Sequence, residues 1–360
     1  MYVYGDISTD ARVQRAANAL ADDFDVTLVS TDFGKTIEHP NYKLIQQKTI
    51  SKHPLLNYWS TVRQTVKLLK QERADIFYAH DYYSAWIAKK MFSRKYCKKI
   101  VYDAHELIIP EEGKPFTLRQ RLFYYFEKSI IKKVDLLICA SPERAKIMVD
   151  HYGLKNTPNP IRNISQLTIN NDEETNKVID SLSDFFAKLG RTIVYAGVVN
   201  RSRKIDELVD AVGQLAPSCK LLIVGGGDFL EGLKQVAAKY PDMVSAFTGK
   251  VPYMALGAIL SKCDAGFIYY PTNSLNNIYC ASNKIYEYAS VNLPIISNNN
   301  PIIKGELDKY NIGKAGESFK DSIEDILKNA DAYKANMIQY NEDNQWTKES
   351  NKLNALIKGI

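Results

Sequence analysis

The chain has 360 residues, 45% of them hydrophobic and 24% charged, an ordinary globular composition too long for one core and comfortable for two. No low-complexity tract argues for a disordered protein, and no apolar run approaches the ~20 residues of a membrane-spanning helix. The net charge of +6 is uneven: residues 1–160 carry 25 Lys and Arg against 18 Asp and Glu, and the remainder 22 against 23, so the first half suits an anionic surface.

Five scattered cysteines without CxxC spacing point to a reducing compartment, with neither a disulfide framework nor structural zinc. The opening MYVYGDISTD has neither the basic nor the apolar region of a secretory signal, so a cytoplasmic protein is expected. No nucleic-acid-binding signature accompanies the positive charge, and no nucleic-acid partner is expected.

In chain order, short β-rich runs alternate with helix-period segments. A strand is expected almost from Met1 to Gly5, then a helix over DARVQRAANALADDF. DVTLVST (25–31), DIFYAHD (75–81), KIVYDAHE (99–106) and DLLICAS (135–141) follow as buried parallel strands, with a helix over STVRQTVKLLKQER before the second of these. The series restarts with TIVYAGVV (192–199), CKLLIVGGG (219–227), MVSAFTGKV (243–251), AGFIYYP (265–271) and LPIISNN (293–299). Two βα series imply two doubly wound parallel sheets. The division expected is an N-terminal domain over 1–165, a polar, turn-rich linker over 166–185 and a C-terminal domain over 186–340. A final helix over 341–360 is expected to pack back on the first domain.

Ligands of open α/β sheets bind beyond the carboxyl ends of the strands, and the chemically interesting residues fall there. Gly197 ends a strand and precedes a loop with Arg201, Arg203 and Lys204, cations suited either to a diphosphate or to plain solvation. LLIVGGGDFLEGL allows a sharp turn and close approach through Gly225, Gly226 and Gly227. It is not a dinucleotide fingerprint, because Leu230 stands at the third glycine position. SNKIYEYASVNLPIISNN places Ser282 or Asn283 as a helix cap, with Lys284 just inside and Glu287 about one turn in. The helix N-terminus favours a phosphate, and the acceptor-only carboxylate suits a vicinal diol such as ribose; a solvated surface acid is the plain alternative. In the first half, Gly5 closes the first strand while Asp10 and Arg12 open the first helix. They stand equally as helix-terminal charges or as acceptor-side residues.

Seven stretches in order, DARVQRAANAL, YDAHELIIPE, NPIRN, YAGVV…RSRK, LLIVGGG, FTGKVP and SNKIYEYASVNLPII, give the chain a resemblance to GT-B glycosyltransferases, specifically the retaining enzymes of glycosyltransferase family 4. The resemblance implies two Rossmann-like domains facing a central cleft. It implies transfer of a sugar from a nucleotide-diphosphate sugar, UDP foremost, to an acceptor hydroxyl with retention, in surface polysaccharide or lipid-linked glycan synthesis. By this likeness Glu287 matches the donor-ribose acid, and Arg201, Arg203 and Lys204 the diphosphate clamp. Lys250 and Val251 of TGKVP match the loop that meets the nucleobase, and His105 the histidine that approaches donor sugar and phosphate. The full expected set is His105, Arg203 and Lys204 for catalysis, with Gly5, Asp10 and Arg12 on the acceptor side. Gly197, Arg201, Gly226, Lys250, Val251, Ser282, Asn283, Lys284 and Glu287 are expected to bind the donor.

Two positions depart from the family. Tyr279 stands where a second Glu is common, and Val198 where an Arg often follows the glycine. His80 reads as a core or supporting hydrogen bonder. The DxD string Asp23-Phe24-Asp25 lies between a helix and a strand, and the histidines lack metal-ligand spacing. Neither a catalytic metal nor a cofactor is therefore expected, the nucleotide-sugar being a co-substrate. Arg119, Arg121, Lys128, Lys132 and Lys133, with Lys89, Lys90, Arg94, Lys95, Lys98 and Lys99, suit either solvent or peripheral contact with the anionic inner face of the cell membrane. The rivals are a non-hydrolysing UDP-sugar 2-epimerase and a non-catalytic GT-B-like subunit of a glycosylation complex.

Overall fold

The computed structural model describes residues 1–32, 41–51, 53–93 and 95–360; Arg94 lies outside the described residues. The chain divides into two compact units, Met1–Asn163 with Thr347–Ile360, and Ile164–Trp346.

The first unit contains β1 (Thr27–Asp32), β2 (Lys43–Lys48), β3 (Ala74–His80), β4 (Cys97–Ala104), β5 (Leu136–Cys139) and β6 (Asn159–Pro160). Every pairing among them is parallel. The strand expected at the start is reduced to Tyr2, which bridges Val29 of β1 and Ala79 of β3. Its amide donates to the Tyr78 carbonyl at 2.8 Å, and its carbonyl accepts from the His80 amide at 3.0 Å. A longer strand does not form because the Asp6 carboxylate caps a 3-10 turn over Ile7–Thr9, and Asp10 then caps the helix Ala11–Ala21. Tyr2 thus joins β2-β1 to β3-β4-β5-β6.

The helix Trp346–Lys358 belongs to this unit. Glu349, largely buried, accepts from Arg162 Nε at 2.7 Å and from the Arg162 amide at 3.1 Å. Lys352 donates to the Pro160 carbonyl, Asn354 to the Ala19 carbonyl, and Lys358 pairs with Asp23.

The helix Leu118–Ile130 opens with a capping box between Thr117 and Gln120 and turns Phe123, Phe126, Glu127 and Ile130 inward. Glu127 is 1% exposed and accepts from the hydroxyls of Tyr102 and Tyr152, each at 3.0 Å. Burial pushes its carboxyl up to about 8, against the two hydrogen bonds, which favour the charged form. A carboxyl raised in the folded state stabilises fully below its unfolded pKa of about 4, and that stability is lost as pH rises toward about 8. Urea unfolding of wild type should therefore show stability falling between about pH 5 and pH 8, and Glu127→Gln should flatten the slope. Equal slopes in the two proteins would refute the buried neutral carboxyl.

The second unit contains β7 (Arg191–Ala196), β8 (Cys219–Val224), β9 (Ser245–Gly249), β10 (Ala265–Ile268), β11 (Ile295–Ser297) and β12 (Gly313–Ala315), in the order β9-β8-β7-β10-β11-β12. All are parallel. The central strands β7, β8, β10 and β11 are almost wholly buried, as a sheet covered by helices on each side requires, while the edge strands β9 and β12 are partly exposed. Strand order reverses between β7 and β10, which is the topological switch point.

The stretch expected as a linker over 166–185 is structured within this unit. Asp172 caps the helix Glu173–Ser181, and Leu167, Leu182 and Phe185 join one core cluster. Three apolar side chains spaced through a polar segment are enough to seat it.

Candidate functional site

β7 and β10 pair only through Ile193–Val194 and Ala265–Gly266, then splay. The gap is filled by Tyr288, fully buried, whose hydroxyl accepts from the Ala196 amide at 3.2 Å and donates to the Phe267 carbonyl at 3.2 Å. Tyr288 lies in the helix Asn283–Ser290. Lys284 and Glu287 sit four residues and one residue before it, so the anchor that fills the gap also fixes where the charged pair stands.

Glu287 is 7% exposed, and its Oε1 accepts from the Tyr253 hydroxyl at 3.1 Å. Ser165 meets the same hydroxyl. The surface-acid alternative is therefore excluded. Arg203 Nη1 donates to the Tyr269 carbonyl just past β10 at 3.0 Å, and its guanidinium stacks 4.3 Å from the Tyr270 ring centroid. Burial lowers the pKa of Lys284, Glu287 favours its charge, and Arg203 opposes it. Among the described residues no salt bridge neutralises Arg203 or Lys284.

Gly197 is required twice over. Its φ is 149°, and a Cβ there would stand 2.7 Å from Lys284 Nζ. Gly225 has a φ of 135°, and a Cβ would lie 1.9 Å from the Gly197 carbonyl oxygen. The glycine run thus serves backbone contact between neighbouring strand ends.

The helix Asn283–Ser290 begins without the expected side-chain cap. Ser282 Oγ and Asn283 Oδ1 are both buried without a hydrogen-bond partner. Uncapped amides, two idle polar atoms and two cations form an arrangement that can hold an anion.

The structure brings together Gly197, Arg203, Lys284 and Glu287. Lys250 reaches Gly226, at 3.4 Å from a Cβ built there, and Val251 follows it half-buried. Arg201 stacks on Phe229 at 4.2 Å. Lys204 does not join the pocket: its ammonium pairs with Glu207 at 2.8 Å, exposed, where the backbone enters the next helix in a left-handed conformation. Tyr253 was missed from sequence, and its only signal is its place just after TGKVP. Tyr279 ends the short helix Leu275–Ile278, and Val198 is 64% exposed.

The first unit gathers a second cluster where β3 and β4 end. Asp103 is ionised and held well below the usual carboxylate range: burial opposes the charge, but Arg12, then His105 and His80, favour it. Arg12 pairs with its Oδ1 at 2.7 Å and Tyr78 donates to its Oδ2 at 3.1 Å. Arg12, one of the acceptor-side residues expected, is thus a largely buried cation paired with Asp103. Asp10 is a helix cap, and Gly5 lies in an open bend. His80 Nδ1 lies 3.2 Å from His105 Nε2. Burial works against charge on His105, but Asp103 raises its pKa above the ordinary value. Ligand atoms of His80, Asp103 and His105 all lie within 4.8 Å of one another. Both Asp103 oxygens are nevertheless committed, and a guanidinium beside them disfavours a further cation.

Solved structures cover nearly the whole chain. HepE of Anabaena in complex with UDP-glucose superposes with a TM-score of 0.73 at 13% identity, covering 100% of this chain and 98% of that one. Sucrose-phosphate synthase from Thermosynechococcus elongatus gives 0.65 at 18% identity, over 96% of this chain and 88% of that one. The glycosyltransferase WaaG, involved in lipopolysaccharide biosynthesis, gives 0.68 at 12% identity, over 97% and 95%.

The fold is GT-B. Residues 11–164 of this GT-B chain match the model of Glycosyltransferase Family 4, so the resemblance read from the motifs is borne out in both fold and family model. An uncharacterized glycosyltransferase of Methanocaldococcus jannaschii is 26% identical over 178 residues, 46% of this chain and 45% of that protein. The match spans about half the length of that curated relative.

Tyr288→Phe removes one buried hydroxyl and leaves the Ala196 amide and Phe267 carbonyl unpartnered. It should cost about 1–3 kcal/mol of stability, read as a lowered thermal midpoint. An unchanged midpoint would show that the switch point does not depend on this tie.

Proposed function

We propose that the chain transfers a sugar from a nucleotide-diphosphate sugar, with UDP as carrier, to an acceptor hydroxyl with retention at the anomeric carbon. The carrying observation is the grouping of Arg203, Lys284 and Glu287 at the switch point beside an uncapped helix N-terminus. In this reading Glu287, already oriented by Tyr253, accepts from the ribose hydroxyls, and Lys250 and Val251 lie by the base. Arg203, Lys284 and the amides around Ser282–Lys284 meet the diphosphate. Lys284 replaces Lys204 as the lysine of this clamp.

The bond from the anomeric carbon to the diphosphate oxygen breaks, and a bond to the acceptor oxygen forms on the same face. The acceptor proton passes to the departing diphosphate. Preorganised cations stabilise that leaving group by an electrostatic effect of about several kcal/mol. His105, at the end of β4 in the first unit, is the residue this reading assigns to turnover. HepE, solved with UDP-glucose and with UDP and glucose, supports UDP as carrier.

Calorimetric titration with UDP, GDP, dTDP and NAD tests this reading. Wild type should bind UDP selectively, Glu287→Ala should bind it about tenfold or more weakly, as expected for loss of a charged hydrogen-bonding partner. His105→Ala should bind normally but turn over slowly. Absence of nucleotide binding would favour the non-catalytic subunit.

The acceptor we propose is a growing saccharide or lipid-linked glycan at the anionic inner face of the membrane. Among the described residues no helix is long and apolar enough to cross a membrane. The helix Leu118–Ile130 instead exposes Leu118 and Tyr125 at 83% and 60%, interleaved with Arg121 and Lys128. Lys89 lies 5.0 Å from the Tyr125 ring, Lys90 lies 4.6 Å from the Trp86 ring, and Trp86 packs edge-on against Trp59. Aromatic rings interleaved with cations suit an anionic lipid interface. Lys98 and Lys99 are engaged with Asp75 and Asp135 and contribute less. The protein should sediment with phosphatidylglycerol vesicles but not with phosphatidylcholine, and Leu118→Asp with Lys89→Glu should release it. Equal partition onto both lipids would defeat this assignment.

A further inference from the structure

His80 and Asp103 are register partners on β3 and β4, and Tyr78 lies two residues before His80. Side chains two apart on a strand share a face. The ends of two strands therefore place Tyr78, His80, Asp103 and, just beyond the strand, His105 together. Tyr78 stacks on His80 with ring centroids 4.4 Å apart. His80 is fully buried, its Nδ1 faces His105 Nε2, and its Nε2 has no partner. A buried ring with one idle nitrogen is costly unless the other nitrogen has a task.

The proton between the two rings can be assigned by charge. Asp103 Oδ2 stands 3.6 Å from His105 Nε2, and its carboxylate is held ionised by Arg12 and Tyr78. His80 Nδ1 lies 3.8 Å from the same oxygen, so of the two facing nitrogens the nearer, His105 Nε2, is the one whose N–H the carboxylate favours more. His105 therefore carries its proton on Nε2 and donates to His80 Nδ1. His80, kept neutral by burial and by the neighbouring imidazole, carries its own proton on the idle Nε2.

We propose that His80 is a positioning residue for His105: it accepts the Nε2 proton, fixes tautomer and ring orientation, and leaves Nδ1 of His105 as the nitrogen available to a ligand. The consequence for turnover rests on the proposed reading that His105 takes part in turnover. The tautomer does not. Asp103 acts from behind, as an anion that biases the proton and is itself clamped, so the order Arg12–Asp103–His105–His80 forms one connected unit. Asp81 and Arg144 are further charges beside His105: the Asp81 amide is tied to the Asp103 carbonyl at 2.8 Å and its Oδ1 accepts from the Glu106 amide at 3.4 Å, while the buried Arg144 guanidinium donates to the His105 carbonyl.

The test uses the full chain labelled with 15N-histidine, whose ring nitrogens report the tautomer directly. At a pH above the raised His105 pKa, where the ring is neutral, wild type should show His105 protonated on Nε2. His80→Phe keeps the ring and its stacking on Tyr78 but removes the acceptor, and should give mixed tautomers. His80→Asn sets an amide oxygen near the position of Nδ1 and should restore the Nε2–H form. With UDP-glucose as probe, UDP release should fall about tenfold or more in His80→Phe with little change in KM, and recover in His80→Asn. UDP calorimetry on the same proteins separates the two ideas. Failure of wild type to bind UDP rejects the transferase reading and leaves the tautomer assignment to be judged by the spectra. Wild-type His105 protonated on Nδ1, an unchanged tautomer in His80→Phe, or stoichiometric zinc bound by wild type and lost in His80→Phe would each overturn the proposal.

Discussion

The hydroxyl of Tyr288 resolves a conflict that any reversal of strand order creates. Where β7 and β10 splay, a buried amide and a buried carbonyl lose their ladder partners, and each must be satisfied or the sheet is weakened. One phenol serves both, as acceptor for Ala196 and donor to Phe267. Because that phenol belongs to the helix Asn283–Ser290, satisfying the sheet fixes the helix. Lys284 is thereby brought against Gly197, and Glu287 against Tyr253. The charged residues of the switch point are placed by the repair of a backbone defect. No dedicated scaffold is needed.

The first unit solves a different problem with the opposite means. Asp103 is an anion in a nearly sealed position, and its charge is tolerated because Arg12 and Tyr78 converge on it. Such a group is a poor source of stability compared with apolar packing. It is better understood as a fixed negative potential at a strand end, biasing the imidazole beside it. Charge in the second unit is handled differently: Arg203 and Lys284 stay without a salt bridge, held by a carbonyl, a ring and burial.

The central strands of both sheets were legible in the sequence because they are continuous apolar runs with strand-end glycines or acids. The short or polar ones were not. β2 reads KLIQQK, whose outer residues gave no apolar signal, and β6 is two residues with a proline. The strand expected at Met1 shrank to a bridge because the acid caps at Asp6 and Asp10 lie too near to leave it length. The grouping of Glu287 and Arg203 beyond strand ends was legible from position alone. The pairing of Lys204 with Glu207, three residues on, was not legible, because spacing alone does not show that contact. Tyr253 and the His80–His105 contact depend on tertiary neighbours that no local pattern encodes.

The helix Trp346–Lys358 completes the first unit although all of the second precedes it in the chain. Residues 164–346 form one contiguous stretch, whereas the first unit needs a helix translated after all of it. The Arg162 guanidinium and the carbonyls of Ala19 and Pro160 then wait, hydrated, for Glu349, Asn354 and Lys352. Completion of the first unit thus depends on a segment that follows the whole of the second, through contacts between residues nearly two hundred positions or more apart.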